Sequence, residues 1–200
     1  MSFDAPTILF DIDGTVLDWL GPFCEFMRLH DHVYVQRPEQ THDILPNFPS
    51  IASPVALGAW IDQFAHTAGY SFLKLYPDVE RAFAVLRGNW GNAVLIGVSC
   101  CGTTSHIRSA RANHLRPLGL DALFCLPQWA DKRDIFERFS PGAIVFEDNP
   151  AAAAAAHRAG HAVVLKAQPY NAGVEADHRF EDWSEFTQPA GWATLLRKFL

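Results

Sequence analysis

Two aspartates, Asp11 and Asp13, lie one residue apart directly after the apolar run Ile8–Phe10, and Gly14 and Thr15 follow them. Two carboxylates this close repel each other, so they need a cation or a reaction that uses both. On an extended strand, side chains two residues apart point to the same side. The spacing therefore predicts that Asp11 is a nucleophile, that Asp13 transfers protons, and that a metal ion lies between them.

These aspartates need a frame that brings other polar groups to them. Short apolar runs alternate with helical segments along most of the chain. The apolar runs are Ile8–Phe10, Ala93–Val98, Leu123–Leu126, Ala143–Phe146 and Ala162–Leu165. The helical segments are Asp78–Arg87, Ser105–His114, Asp131–Phe139 and Ala151–Ala159. This alternation predicts an α/β fold, a Rossmann-like parallel sheet with helices on both faces.

In such a sheet, ligands bind beyond the carboxyl ends of the strands. Asp11, Asp13, Ser99 and Asp148 each come just after an apolar run, so they should meet at that edge. Three carboxylates there would form a hard oxygen site suited to Mg²⁺. The expected cofactor is therefore Mg²⁺, which often shares its ligands with a substrate phosphate.

The alternation is interrupted by about sixty residues between the first strand and Asp78. This segment is rich in aromatic residues and is broken in its middle by Pro46, Pro49 and Pro54. It is too long for a simple connection, so we interpret it as a small helical cap over the sheet edge. The predicted division is an α/β core of residues 1–17 and 75–200, with a cap of residues 18–74.

The stretch Asp11-Ile-Asp-Gly-Thr15 after an apolar strand resembles the first motif of the haloacid dehalogenase superfamily of phosphohydrolases. Ser99, Lys132 and the pair Glu147-Asp148 match the later motifs in order. The resemblance implies phosphate monoester hydrolysis through an aspartyl-phosphate, with Glu147 supporting the metal ligands. It implies Asp11, Asp13 and Asp148 as those ligands, and a phosphate-binding set of Gly14, Thr15, Ser99, Cys100 and Lys132.

A finer resemblance is to the 5′(3′)-deoxyribonucleotidases and their phage and bacterial relatives. It rests on three stretches: Asp13–Trp19, Phe72–Val79 and Gly160–Asn171. It implies a nucleoside 5′-monophosphate as substrate, with Asp18, Trp19 and Phe23 of the cap contacting the base or sugar. The fourth motif departs from that family, which tends to have Asp-Asp where this chain has Glu-Asp.

Composition limits the partners. The formal net charge of −6 is unlike that of proteins that bind nucleic-acid polymers, so a small phosphorylated substrate is expected. No apolar run is long enough to span a membrane, and the four cysteines form no C-x-x-C pair, so a cytoplasmic setting is expected. A homodimer is left open. For Arg108 and Arg111, a solvated helix face is favoured over a place near the phosphate, and the histidines form no ligand-like cluster.

Three alternative functions are weighed. A phosphatase of the same superfamily acting on a sugar phosphate would differ only in its cap. A serine esterase would need Gly-x-Ser-x-Gly, but Cys101 stands where the last glycine is required. A non-catalytic binding protein should have lost one of the catalytic aspartates, and both are present.

Overall fold

The computed structural model describes residues 5–37 and 41–199, and its centre is a six-stranded sheet whose strand pairings are all parallel. The order across the sheet is β5-β4-β1-β6-β7-β8. The strands are β1 (Thr7–Asp11), β4 (Val94–Ser99), β5 (Ala122–Cys125), β6 (Ile144–Glu147), β7 (Ala162–Lys166) and β8 (His178–Phe180). The predicted α/β fold with a parallel sheet is confirmed.

Helices connect these strands. They are α4 (Val79–Asn89), α5 (Ser105–Leu115), α6 (Arg133–Phe136), α7 (Pro150–Arg158) and α8 (Pro189–Phe199). Helix α6 is much shorter than the predicted Asp131–Phe139. Strand β8 and helix α8 were not predicted, because a three-residue strand gives little periodicity and the last segment lacks an N-terminal capping signal.

Both faces of the sheet are covered. Alternate residues of β1 enter different apolar clusters: Ile8 and Phe10 lie in one cluster, and Leu9 lies in the other. All three side chains are fully buried, as expected for a central parallel strand. The strand is therefore fixed on both sides, which gives Asp11 at its end a rigid support.

The predicted cap segment is framed by a two-stranded antiparallel ribbon, β2 (Leu17–Asp18) with β3 (Lys74–Leu75). Between these strands lie α1 (Leu20–Arg28), a 3₁₀ turn, α2 (Pro54–Phe64) and α3 (Ala68–Ser71). We call residues 19–73 the helical insertion; its residues 38–40 are outside the described part of the chain. The Ser53 hydroxyl accepts the N–H of Ala56 and so caps α2.

The helical insertion packs around its own aromatic residues. Phe23, Phe48 and Phe64 are almost completely buried, and Phe23 lies 5.5 Å from Phe64 and 5.7 Å from Phe48 between ring centroids. These rings belong to the same apolar cluster as Phe10 of β1 and Phe83 of α4. The insertion and one face of the sheet therefore share a continuous core.

The C-terminal segment supports the loop after β1. The indole N–H of Trp183 donates to the backbone carbonyl of Thr15 over 2.9 Å, and that of Trp192 donates to the carbonyl of Ala82 over 3.0 Å. Both tryptophans are buried, so these bonds satisfy their only polar groups. In the described residues, no helix is long and apolar enough to cross a membrane.

Candidate active site

The ends of β1 and β6 bring two acidic positions together. Phe10 is paired with Phe146 in the parallel register of these strands, so the next residues, Asp11 and Glu147, lie side by side at the sheet edge. Asp148 follows Glu147, and carboxylate oxygens of the three residues lie within 4.8 Å of one another. All three side chains are buried.

One lysine lies between two of these carboxylates. Lys132, at the start of α6, donates to Oδ1 of Asp11 and to Oε2 of Glu147, the latter over 2.7 Å. Burial alone would lower the pKa of Lys132, but these two carboxylates raise it above its usual value, so the ammonium stays charged. The other Glu147 oxygen accepts the backbone N–H groups of Asp148 and Asn149. Glu147 thus has both oxygens engaged, which suits a supporting role.

Asp11 and Asp148 are less well compensated. Burial, followed by the charge of Glu147, raises the pKa of Asp11 to about 7. Burial, followed by the charge of Asp11, raises the pKa of Asp148 to about 7. Oδ2 of Asp11 is buried and finds no hydrogen-bond partner in the described part of the chain. An unpartnered hard oxygen beside other carboxylates fits a divalent cation such as Mg²⁺, which would relieve this repulsion.

Gly14 leaves room for Asp148. Its φ of 93° lies in the left-handed region, and a Cβ atom at this position would come 2.3 Å from Oδ2 of Asp148. A larger residue would therefore strain the backbone and push the carboxylate away. The glycine of the Asp-Ile-Asp-Gly stretch is thus needed to leave space for the Asp148 carboxylate, independently of any contact with phosphate.

The segment after β7 also holds Asp148, a role that is not predicted from the sequence. The hydroxyl of Tyr170 donates to Oδ2 of Asp148, and Nδ2 of Asn171 donates to the Asp148 carbonyl over 2.8 Å. Gln168 reaches the carbonyl of Gly14 over 3.4 Å. The stretch Gln-Pro-Tyr-Asn enters the sequence analysis only through the nucleotidase resemblance. Its polar residues directly after a strand could also have indicated a place at the ligand-binding edge of the sheet.

Asp13 is turned away from the acidic group. Its Oδ2 accepts the Ser99 hydroxyl over 2.7 Å, and its Oδ1 lies 2.7 Å from Nη2 of Arg111. Asp13 does not belong to the three-residue group of potential metal ligands, because its carboxylate is already occupied by these partners. The expectation that its side chain binds the metal therefore does not match this geometry.

Arg111 was assigned to a solvated helix face, and that prediction is wrong. The residue lies on α5 and is fully buried, whereas Arg108 on the same helix is exposed. Burial alone would lower the pKa of Arg111, but the Asp13 carboxylate raises it above its usual value. The guanidinium is therefore a buried cation at the edge of the candidate site.

Two further predicted phosphate-binding residues, Thr15 and Cys100, differ in burial and in their contacts. Thr15 is buried and Cys100 is half-buried beside Ser99. The Cys100 thiol points to the carbonyl of Ala130 at 3.5 Å, and burial raises its pKa to about 11, so it is a neutral thiol. Thr15 Oγ1 is buried and has no partner among the described residues. Both side chains lie near the site without a contact that defines their role.

The three predicted substrate contacts of the cap are largely structural. Phe23 is fully buried and stacks on Trp19 with ring centroids 4.6 Å apart, so it offers no free face to a ligand. Asp18 accepts the backbone N–H of Gly21 over 3.1 Å at the start of α1. Asp18 and Trp19 are both half-buried, and of these two only Trp19 offers a ring surface. The predicted contact by Phe23 is thus inconsistent with its burial.

A histidine of the helical insertion reaches the site instead. The exposed His42 lies with its ring 5.6 Å from that of Tyr170, in an edge-to-face arrangement. Although His42 keeps contact with solvent, desolvation by neighbouring groups, followed by the positive charge of Lys132, lowers the pKa of its imidazole. No pattern in the sequence marks this residue, because it lies in a loop without periodicity.

Comparisons with solved structures agree with this architecture. A haloacid dehalogenase-like family hydrolase from Streptococcus pneumoniae is 15% identical, with a TM-score of 0.66 over 91% of this chain and 96% of that chain. CbbY from Rhodobacter sphaeroides in complex with phosphate is 18% identical, with a TM-score of 0.61 over 94% and 98%. A predicted phosphoglycolate phosphatase from Haemophilus somnus is 16% identical, with a TM-score of 0.61 over 92% and 97%.

No family model and no curated protein matches the sequence. At these identities, the likeness establishes the fold alone, which is that of the haloacid dehalogenase-like hydrolases. A further structure of CbbY contains xylulose-(1,5)-bisphosphate, and its TM-score to this chain is 0.62 at 18% identity. The resemblance to deoxyribonucleotidases is not supported by these comparisons and stays a prediction.

Proposed function

We propose that this protein is a Mg²⁺-dependent phosphatase that hydrolyses small phosphate monoesters through an aspartyl-phosphate. One observation carries the proposal. Asp11, at the end of the central strand, has one oxygen paired with Lys132 and the other unpartnered beside Asp148. With its negative charge stabilised by the buried Lys132 cation, this carboxylate can attack an electrophile with one oxygen and leave the other for the proposed metal ion.

In the proposed reaction, an Asp11 oxygen attacks phosphorus and the bond to the ester oxygen breaks. Asp13 gives its proton to that leaving oxygen, and then accepts a proton from the water that attacks the phosphorylated Asp11. The products are an alcohol and inorganic phosphate, and both aspartates return to their starting state. Lys132 stabilises the negative charge on Asp11 and on the transferred phosphoryl group.

Asp11 and Asp148 would hold the Mg²⁺, and Glu147 would orient Lys132 and the backbone around it. The cation would supply charge neutralisation between the carboxylates and the substrate phosphate. The site contains four carboxyl groups, those of Asp11, Asp13, Glu147 and Asp148. A divalent cation would offset part of this negative charge before an anionic substrate enters.

For the substrate, a nucleoside 5′-monophosphate is the first candidate. The half-buried Trp19 and the exposed His42 provide ring surfaces in the helical insertion on which a base could stack. A sugar phosphate is the second candidate, because CbbY, which has the same fold, was solved with xylulose-(1,5)-bisphosphate.

A phosphate-release screen over nucleotides and sugar phosphates, with Mg²⁺ and with EDTA, tests the proposal. We expect turnover that disappears with EDTA, returns with Mg²⁺ and is absent in Asp11→Asn. A folded wild-type protein without activity on any monoester would refute the phosphatase. Activity confined to sugar phosphates would exclude a nucleotidase and still support a phosphatase. Turnover that survives chelation would instead favour the esterase alternative, with Ser99 as nucleophile.

A further inference from the structure

Arg111 is unusual because its guanidinium is buried without contacting Asp11, Glu147 or Asp148. Its Nη2 lies 2.7 Å from Oδ1 of Asp13, and its side chain is 1% exposed. Removing a guanidinium from water is costly unless a partner compensates for it. Asp13 supplies the charge compensation through Nη2, whereas Nε and Nη1 find no hydrogen-bond partner among the described residues, so the position of this arginine is tied to the proposed acid and base.

Asp13 is held from two directions. Ser99 at the end of β4 donates to its Oδ2, and Arg111 on α5 pairs with its Oδ1. The Asp13 side chain remains 25% exposed, so it is not enclosed by these contacts. One hydrogen bond at Oδ2 and one close ion pair at Oδ1 restrict the Asp13 side chain to a defined orientation, and proton transfer depends steeply on such geometry.

The same guanidinium reaches the helical insertion. Its Nη2 donates to the hydroxyl of Tyr70 in α3 over 3.3 Å, and its Cζ lies 5.5 Å from the centre of the Tyr70 ring. Tyr70 is buried and packs edge to face on Phe64. Arg111 therefore connects the aromatic core of the insertion to Asp13.

We propose that Arg111 is a positioning residue that orients Asp13 toward the leaving oxygen of the substrate, and that Tyr70 fixes Arg111 from the helical insertion. This inference rests on the proposed function. It assigns a role to a residue that touches neither the phosphate-binding positions nor the acidic group. Arginine suits this role because its planar guanidinium packs over the Tyr70 ring while Nη2 contacts both Asp13 and the Tyr70 hydroxyl, an arrangement that a lysine ammonium holds less rigidly.

The inference makes a prediction that a purely structural role does not make. Protonation of the leaving oxygen matters for a poor leaving group, such as an alkyl alcohol, and matters little for p-nitrophenol. Because kcat/KM reports the steps up to leaving-group departure, it isolates the transfer of the proton to that oxygen. Mispositioning Asp13 should therefore steepen the dependence of kcat/KM on the acidity of the leaving group.

The test measures kcat/KM of the Mg²⁺-loaded protein on phosphate esters whose alcohols range from p-nitrophenol to glycerol. Since general acid catalysis contributes about 10²–10⁴-fold, we expect Arg111→Met to lose about 10–100-fold on glycerol phosphate and less than about threefold on p-nitrophenyl phosphate. Tyr70→Phe, which removes only the hydroxyl, should steepen the dependence of kcat/KM on leaving-group acidity by a smaller amount. Arg111→Lys should restore part of the loss.

Arg108→Met is the matched control, because Arg108 is exposed on the same helix. It should leave the dependence on the leaving group unchanged. Near-UV circular dichroism verifies that each variant keeps its tertiary structure. Should Arg111→Met be unfolded, Tyr70→Phe and Arg111→Lys still decide the question.

The outcomes separate the two proposals. Equal losses on all esters in folded variants would overturn the positioning role and leave the phosphatase intact. A wild-type protein that hydrolyses none of the esters would overturn the proposed function and, with it, this inference. A steeper dependence in the Arg111 and Tyr70 variants but not in Arg108→Met would establish the role.

Discussion

Binding of Mg²⁺ should release protons, because two of the proposed ligands are protonated near neutrality without a metal. Burial and neighbouring charges raise the pKa of Asp11 and of Asp148 to about 7, from a usual value of 3.8. A cation binds the ionised carboxylates, so protons and Mg²⁺ compete for this site. The apparent affinity for Mg²⁺ should therefore fall as the pH is lowered through 7.

The magnitude follows from the number of protons displaced. With one carboxyl group of pKa about 7, lowering the pH from about 8 to about 6 should weaken Mg²⁺ binding about tenfold. With both groups titrating, the loss approaches about 100-fold. An effect in this range is large enough to measure on the unmodified protein without substrate.

The stability of the metal-free protein should also depend on the protonation of these two carboxyl groups. The folded chain keeps protons on Asp11 and Asp148 above the usual pKa of 3.8, so it binds more protons than the unfolded chain between about pH 4 and 7. Its free energy of unfolding should therefore fall as the pH rises through this window. Added Mg²⁺ should restore stability above pH 7 and do little near pH 5.

Isothermal titration calorimetry of Mg²⁺ at pH 6, 7 and 8, in buffers of different ionisation enthalpy, gives both the affinity and the protons released. Asp148→Asn should weaken binding and release fewer protons. Asp134→Asn, which changes an exposed aspartate two residues after Lys132, should behave as wild type. Equal affinities at pH 6 and pH 8 with no proton release would refute the assignment of these carboxylates.

The remaining predictions concern single residues. Asp11→Asn should abolish turnover and leave the circular dichroism spectrum unchanged, since an amide cannot form the phosphoryl intermediate. Near wild-type activity would disprove the assignment of Asp11 as nucleophile. Asp13→Asn should lower kcat about 10²–10⁴-fold, and a loss below about fivefold would argue against proton transfer by Asp13. Phe23→Ala should lower the free energy of unfolding in urea by about 3–5 kcal/mol. It should also reduce activity on nucleotides and on p-nitrophenyl phosphate alike, and a loss confined to nucleotides would restore its role as a substrate contact.

The sequence was most informative where a residue's place follows from its own strand. Asp11, Glu147 and Asp148 come at the ends of apolar runs, and parallel pairing of β1 with β6 brings them together without further information. Lys132 could be placed only through the family resemblance. Its short helix has too few residues for periodicity to define, which is also why α6 was predicted too long.

Positions that depend on packing between distant segments could not be predicted. Arg111 lies on helix α5, whose residues are mostly polar. Its side chain is buried only because Tyr70 and Asp13, from other segments, pack against it. His42 and Tyr170 lie in separate loops and meet only in the folded chain. The burial of Phe23 could not be predicted, because the same aromatic spacing fits a ligand pocket and an internal core.

The continuous apolar cluster also limits how this chain could diversify in evolution. Phe23 and Phe64 of the helical insertion share that cluster with Phe10 of β1 and Phe83 of α4 in the core. Grafting a foreign insertion in their place would leave the sheet layer without its apolar partners, so wholesale exchange should be selected against. Inherited changes in substrate preference should instead accumulate one residue at a time, at exposed loop positions such as His42.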